Sequence, residues 1–274
     1  MAAPFKTRVL RRLLSRRRFL DEETALWALE HLGWVLDNFG GIEQLQNTAL
    51  VLPTDAFFPF KDDSGHDRAK RLFTAVKQHA NMQDWPCELA PLPERAPNHI
   101  NEIDLQVFDA EKPAGQIHLG IDTDTPPLIE YDPRQLDDAQ SFVATCAHEL
   151  AHYLMISAKQ WGPGGIDLHE HATDALAIHM AFGLFLANSA FHVQQYSGAL
   201  ASGYSYRRQG YLTQDQLIYV LALFLAIKSE TANTALQYLK PRLQKALKRA
   251  LKDIHELGDV ASAAVDAWQN SAKH

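Results

Sequence analysis

Residues 146–154 read Cys-Ala-His-Glu-Leu-Ala-His-Tyr-Leu, and the pentad His148-Glu149-Leu150-Ala151-His152 constrains this chain more than any other run. Val143, Ala144, Ala147, Leu150, Ala151, Leu154 and Met155 recur around it at helical spacing. That periodicity predicts an amphipathic, largely buried helix. Positions i and i+4 of a helix lie one turn apart on the same face. Two imidazoles so placed can converge on one metal ion, and the glutamate between them can reach a water held by that ion. Read instead as two satisfied core histidines beside a surface glutamate, the pattern leaves unexplained why polar groups cluster on an apolar helix.

A Gly/Pro break, Trp161-Gly162-Pro163-Gly164-Gly165, ends that helix and turns the chain. The next helical pattern opens at Leu168-His169-Glu170-His171-Ala172-Thr173-Asp174, where Glu170 and Asp174 again stand at i and i+4. An HExxH helix followed by a second helix carrying ExxxD resembles the gluzincin branch of the zinc metallopeptidases, the thermolysin-like enzymes among them. The resemblance implies an α+β, zincin-like fold with a small mixed sheet, an HExxH active-site helix and a mainly helical C-terminal half. It also implies one zinc per chain held by His148, His152 and Glu170, with Asp174 orienting a ligand histidine. Glu149 would be the general base in hydrolysis of a peptide or protein substrate. The role given to Asp174 is physically reasonable, because a ligand imidazole needs an acceptor for its other N–H.

Seventeen residues separate His152 from Glu170, one or two fewer than in the best-known gluzincins. His169, His171 and Asp167 therefore stand as rival third ligands, with Asp174 behind them. The longer HExxHxxGxxH pattern of the metzincins is absent. The segment TDALAIHMAFGLFLANSAF is also similar to one in a bacterial family of uncharacterised putative metallopeptidases. Together these likenesses cover about fifty residues of the 274. Two other functions fit the same residues: a zinc hydrolase of a non-peptide amide, and a non-catalytic, zinc-stabilised binding or regulatory protein.

With 46% hydrophobic residues the chain can bury a substantial core, as one large domain or two small ones. The Pro-rich stretch 91–97 suggests a boundary. It would divide an N-terminal α/β region, residues 1–95, from a zincin-like domain, residues 96–274. A net charge of −7 gives no general reason to expect nucleic-acid binding. Two cysteines make no disulfide framework, which favours a reducing, cytoplasmic setting. Cys146 points roughly 200° away from His148 on an ideal helix and reads as a core residue.

Lys6, Arg8, Arg11, Arg12, Arg16, Arg17 and Arg18 precede the first acid, Asp21, without an apolar secretory core after them. An Arg-rich, acid-free start also resembles an organellar transit peptide, but its continuation into a helix favours a solvated arm. The functional alternative is a tether to nucleic acid, membrane or an acidic partner. The apolar runs 175–191 and 217–227 read as buried helices rather than membrane spans. The first contains His179 and Asn188, and the second is too short.

Further helices are expected at 22–39, capped by Asp21 and stopped by Gly40-Gly41, then at 65–81, 213–228, 231–252 and 255–269. Strands are expected at 48–53, 87–90, 104–109, 116–122 and 127–131. Residues 55–60 form an aromatic loop that reads as a hydrophobic plug between elements. A sheet edge at 117–121 or 128–131 would offer its backbone to an extended peptide. His192, Tyr204, Tyr206 and Tyr211 are candidates for a second electrophile. His179 faces about 180° away from Glu170 and reads as a core contact. The basic residues Lys240, Arg242, Lys245, Lys248, Arg249 and Lys252 give one helix a charged face, most simply a solvated one.

Overall fold

The computed structural model describes residues 18–59, 64–92, 115–118, 126–197, 202–208, 210–228 and 232–271. Asp21 starts the first helix by accepting the Thr24 N–H, a cap that satisfies one orphan donor of the opening turn. The elements then run α1 (Glu22–Asn38), α2 (Gly41–Asn47), α3 (Gly65–His79), β1 (Glu88–Pro91), β2 (Gly115–His118), β3 (Leu128–Tyr131) and α4 (Ala139–Met155). They continue with α5 (His169–Ala177), α6 (Gly183–Ser189), β4 (Phe191–Ser197), β5 (Ser202–Arg208), α7 (Gln214–Lys228), α8 (Asn233–Tyr238), α9 (Pro241–His255) and α10 (Val260–Ser271). Helices dominate, and a small sheet accompanies them, so the class is α+β in the coarse sense.

In that sheet β3 is central, parallel to β1 and antiparallel to β2. Residues 128–131 therefore cannot be the free edge that their sequence suggested as one option. Among the described residues β2 pairs on one side only, with Ile117 opposite Ile129. The expected strand at 104–109 and the proposed boundary at 95/96 lie outside the described residues. One apolar core runs from Ala25 of α1 to Trp268 of α10. α1 and α10 approach closely at Gly33, where a Cβ would collide with the Ala264 carbonyl oxygen.

Several expectations need correction. Residues 48–53 form no strand; Leu50 and Val51 are buried, but the Val51 N–H donates to the Ala181 carbonyl at 3.2 Å. The helix expected across 231–252 is broken between α8 and α9, because Pro241 at the first turn of α9 cannot continue a preceding helix. The last helix begins at Val260, beyond Gly258 at φ +79°, rather than at 255. Strands β4 and β5 pair antiparallel, with Phe191 opposite Arg208, where the sequence pattern predicts no strands. The aromatic loop does plug a gap: Phe57 and Phe58 pack on His79, and Phe58 also meets Phe185.

The apolar run after Asp174 is not one regular helix. Residues Ile178–Phe182 form a π-helical turn between α5 and α6, with Ala181 at φ +77°. That left-handed conformation is strained for a residue with a Cβ, and buried neighbours on all sides hold it. His179 sits within this turn, buried and stacked on His31 of α1 with ring centroids 5.6 Å apart. Burial drives both imidazoles towards the neutral form, His31 down to about 3 and His179 well below its ordinary value. A depressed histidine stays neutral in the folded chain while the unfolded chain takes up a proton below about pH 6.5. Stability should therefore fall as pH drops from about 6.5 towards 3. In urea unfolding followed across that range, His179→Leu should show a shallower decline than the parent. An equal slope would place the acid sensitivity elsewhere.

Candidate metal centre

α4 begins where the Asp138 carboxylate accepts the N–H groups of Gln140 and Ser141. The helix then buries Phe142, Val143, Cys146, Ala147, Leu150 and Ala151. Cys146 is a core residue, as its position implied, and burial raises its thiol well above the ordinary range. The opposite side of α4 carries His148 and His152, with Nε2 atoms 3.1 Å apart. Glu170, in the first turn of α5, brings Oε2 to 3.3 Å from His148 Nε2 and 3.2 Å from His152 Nε2. These three side chains form a cluster that can hold a metal ion.

The far nitrogens of both rings are engaged. His148 Nδ1 lies 2.9 Å from Asp174 Oδ1. The other oxygen of Asp174 accepts the backbone N–H groups of Tyr211 and Leu212, at 2.6 and 2.9 Å. His152 Nδ1 lies 3.1 Å from His169 Nε2 and 3.3 Å from Thr173 Oγ1. Both imidazoles are thus turned so that Nε2 faces Glu170. His169 stands behind His152 rather than in the cluster, and its ring also meets Trp161 edge-on. His171 faces Tyr211, with ring centroids 6.1 Å apart. Asp167 lies in a short 3-10 turn before α5. Neither joins the cluster.

Glu149 is buried at 5% exposure, not a surface charge. Among the suggested electrophiles, Tyr211 is 46% exposed and its ring stacks over His148 at 6.1 Å between centroids. His192, Tyr204 and Tyr206 fall on β4 and β5, and their side chains lie outside the described set.

Charge governs the protonation of the cluster. Burial disfavours the charged His148 ring, yet its hydrogen bonds to Asp174 and Glu170 and the surrounding carboxylates outweigh this and push it up to about 10. Burial opposes ionisation of Glu170, but the two imidazoles overcome it and hold the carboxyl far below the usual range. His169 is lowered, by burial first and then by the charge of His152. The Tyr211 phenol is raised, by burial first and then by Glu170, Asp174 and Glu149.

A contribution from α1 was not apparent in the sequence. The Trp27 indole donates to the Pro163 carbonyl at 3.0 Å, and the Trp34 indole to the Gln160 carbonyl at 2.9 Å. His31 Nε2–H donates to the Ala172 carbonyl at 2.9 Å. Three side chains at roughly helical spacing thus pin the connection between α4 and α5 and the start of α5 itself. The i, i+4, i+7 stripe of Trp27, His31 and Trp34 was the available signal. It was hidden because its aromatic members also suit an ordinary core face.

Comparison with protein-family models, with curated proteins and with solved structures found no match. The reading therefore rests on the chain's own geometry. Replacing Asp174 by Asn should weaken metal binding about 10- to 100-fold, the usual effect of losing a ligand's orienting partner. Competition against a chromophoric chelator measures this, and unchanged affinity would refute the role given to Asp174.

Proposed function

We propose that the protein is a zinc-dependent metallopeptidase with a zincin-like active site. The observation that carries this reading is the convergence of His148, His152 and Glu170 beside a buried Glu149 on the same helix. Ligands about 2.0–2.1 Å from a tetrahedral zinc lie roughly 3.3 Å from one another. The mutual separations of 3.1, 3.2 and 3.3 Å fit that set. Two imidazoles with one carboxylate also suit zinc better than magnesium or calcium, which favour all-oxygen ligands. Three protein ligands leave a position open for chemistry, as catalytic zinc sites do.

Bound there, zinc supplies Lewis acidity and lowers the pKa of a water to about 7. Glu149 takes the proton of the attacking water and passes it to the departing nitrogen. Asp174 and His169 hold the two imidazoles in the tautomer that directs Nε2 inward. Tyr211, whose ring lies over that of His148, would donate a hydrogen bond from its phenol to a carbonyl oxygen as that atom gains charge. Its raised pKa keeps the phenol protonated at neutral pH. Strand β2 packs near α4 and supplies backbone groups for an extended substrate.

Elemental analysis of chelator-free protein should give about one zinc per chain. His152→Ala and Glu170→Ala should lose it. Glu149→Gln should retain zinc while losing roughly 100- to 10,000-fold of the rate on a peptide library. Tyr211→Phe should lower kcat about 100- to 1,000-fold with little change in KM. Folded parent protein that takes up no zinc on addition would sink the proposal. Zinc retained with no peptide cleaved would redirect it to another amide substrate or to a binding role, and retention of the biological role by Glu149→Gln would favour the binding role.

A further inference from the structure

A second concave site lies away from the metal centre. It is a cavity of about 710 Å³ enclosed by α2, the end of α7, the last turns of α9 and the start of α10. That size falls within the range of small-molecule sites, roughly 300–1,000 Å³. The Leu212 N–H reaches Asp174 just before α7 begins, whereas Ala226 and Ile227 line the cavity at the other end of that helix. From Gln214 to Ile227 the helix spans about 20 Å.

The fold sets the walls in place. The Lys228 ammonium donates to the Gln46 and Thr48 carbonyls, at 2.8 and 2.5 Å, and ties α2 to the end of α7. Ile227, Ile254 and Val260 are buried at the floor, and Ile42 stands 40% exposed at the rim. Lys248, Lys252 and His255 follow at i, i+4 and i+7 along α9 and line one side. Among the described residues neither lysine forms an ion pair. Lys252 and His255 also suit the carbonyl end of α9, but Lys248 lies a turn earlier, where that effect has faded. The acid among the described lining residues, Asp259, is turned to the start of α10. There it accepts the Ser262 N–H at 3.2 Å and the Ser262 hydroxyl at 2.7 Å.

We propose that this cavity binds a free aliphatic carboxylic acid as its anion, with the tail on the floor and the carboxylate at Lys248 and Lys252. Charge and shape together choose the occupant. The floor alone would take any hydrophobe and the lysines alone any anion; side by side they match a molecule that carries both. No Phe, Tyr or Trp lines the cavity among the described residues, so a nucleobase or an aromatic acid finds no such ring to stack on. Its apolar lining comes from Ile, Leu, Val and Ala side chains, which suit an alkyl chain.

Calorimetric titration of the full chain with decanoate tests this. Each buried methylene strengthens binding up to roughly four-fold, so affinity should climb from hexanoate through octanoate to decanoate. The neutral 1-decanol, with the tail but not the charge, should bind about 10-fold more weakly, as expected for two exposed ion pairs. Lys248→Gln/Lys252→Gln should weaken decanoate about 10-fold and leave 1-decanol unchanged. Ile42→Asp, which sets a carboxylate at an exposed rim position, should weaken decanoate by a similar factor. Arg242→Gln/Lys245→Gln, on α9 outside the cavity, should bind like the parent. Circular dichroism and metal content should match the parent in all three variants. No binding of decanoate, affinity independent of chain length, or an equal loss in the Arg242/Lys245 control would overturn the proposal. Decanoate binding that survives both cavity variants would overturn it in favour of another site, the metal centre included.

Discussion

A single buried carboxylate holds the candidate centre in shape. Asp174 is 1% exposed, and a polar group at that depth is tolerated only when its oxygens are engaged. One oxygen takes the His148 ring and the other takes two successive backbone N–H groups at Tyr211 and Leu212. These bonds fix α5 against α4 and both against the chain leading into α7. Gly210 belongs to the same arrangement: at φ +85°, its missing Cβ leaves room for Asp174, which would otherwise be met at 3.0 Å. Removing the carboxylate would strand an imidazole and two amides together, so orientation of the ligand and local folding are one problem.

The surrounding layers make that depth possible. α7 is apolar nearly all round, with Leu217 to Leu225 continuously buried, and α6 meets it closely at Gly183, where a Cβ would lie 2.9 Å from Leu221. On the other side α1 supplies two indoles and an imidazole to carbonyls of the loop and helix that bring Glu170 into place. A loop pinned by two indole donors, with a third side chain holding the helix it leads into, is held far better than its Gly-Pro-Gly-Gly composition suggests. The position of Glu170 is therefore not left to the flexibility of a Gly-rich loop. What matters is where the loop ends, and α1 fixes that.

What was legible in the sequence follows from how local the cause is. The HExxH helix, the cap at Asp21 and the stop at Gly40-Gly41 are encoded within a few residues, and each is where the pattern placed it. So is the apolar character of α7. Glu170 could be nominated because the ExxxD pattern that carries the family resemblance is also local, but ranking it above His169 was not a local question. His169 stands behind His152 because of the angle between α4 and α5, which no spacing rule contains. The strand expected at 48–53 failed for a related reason. Its apolar residues are buried, but the hydrogen-bond partner is Ala181, in a strained turn 130 residues away. The pairing of β4 with β5 was legible in principle from the alternation in Phe-His-Val-Gln-Gln-Tyr and Gly-Tyr-Ser-Tyr.

The two histidines are supported unequally, and this has a chemical consequence. His148 rests on a carboxylate, whereas His152 rests on His169 and the Thr173 hydroxyl, both without formal charge when His169 is neutral. The hydrogen bonds of His148 to Asp174 and Glu170 therefore favour a proton on that ring. With Glu149, Glu170 and Asp174 gathered around it, that proton offsets part of a concentrated negative charge. A cation entering the cluster competes with the proton for His148 Nε2 and must expel it, so loading becomes easier as pH rises. A divalent ion then balances the carboxylates better than one proton can. The arrangement can hold a metal ion through its charge as well as through its geometry.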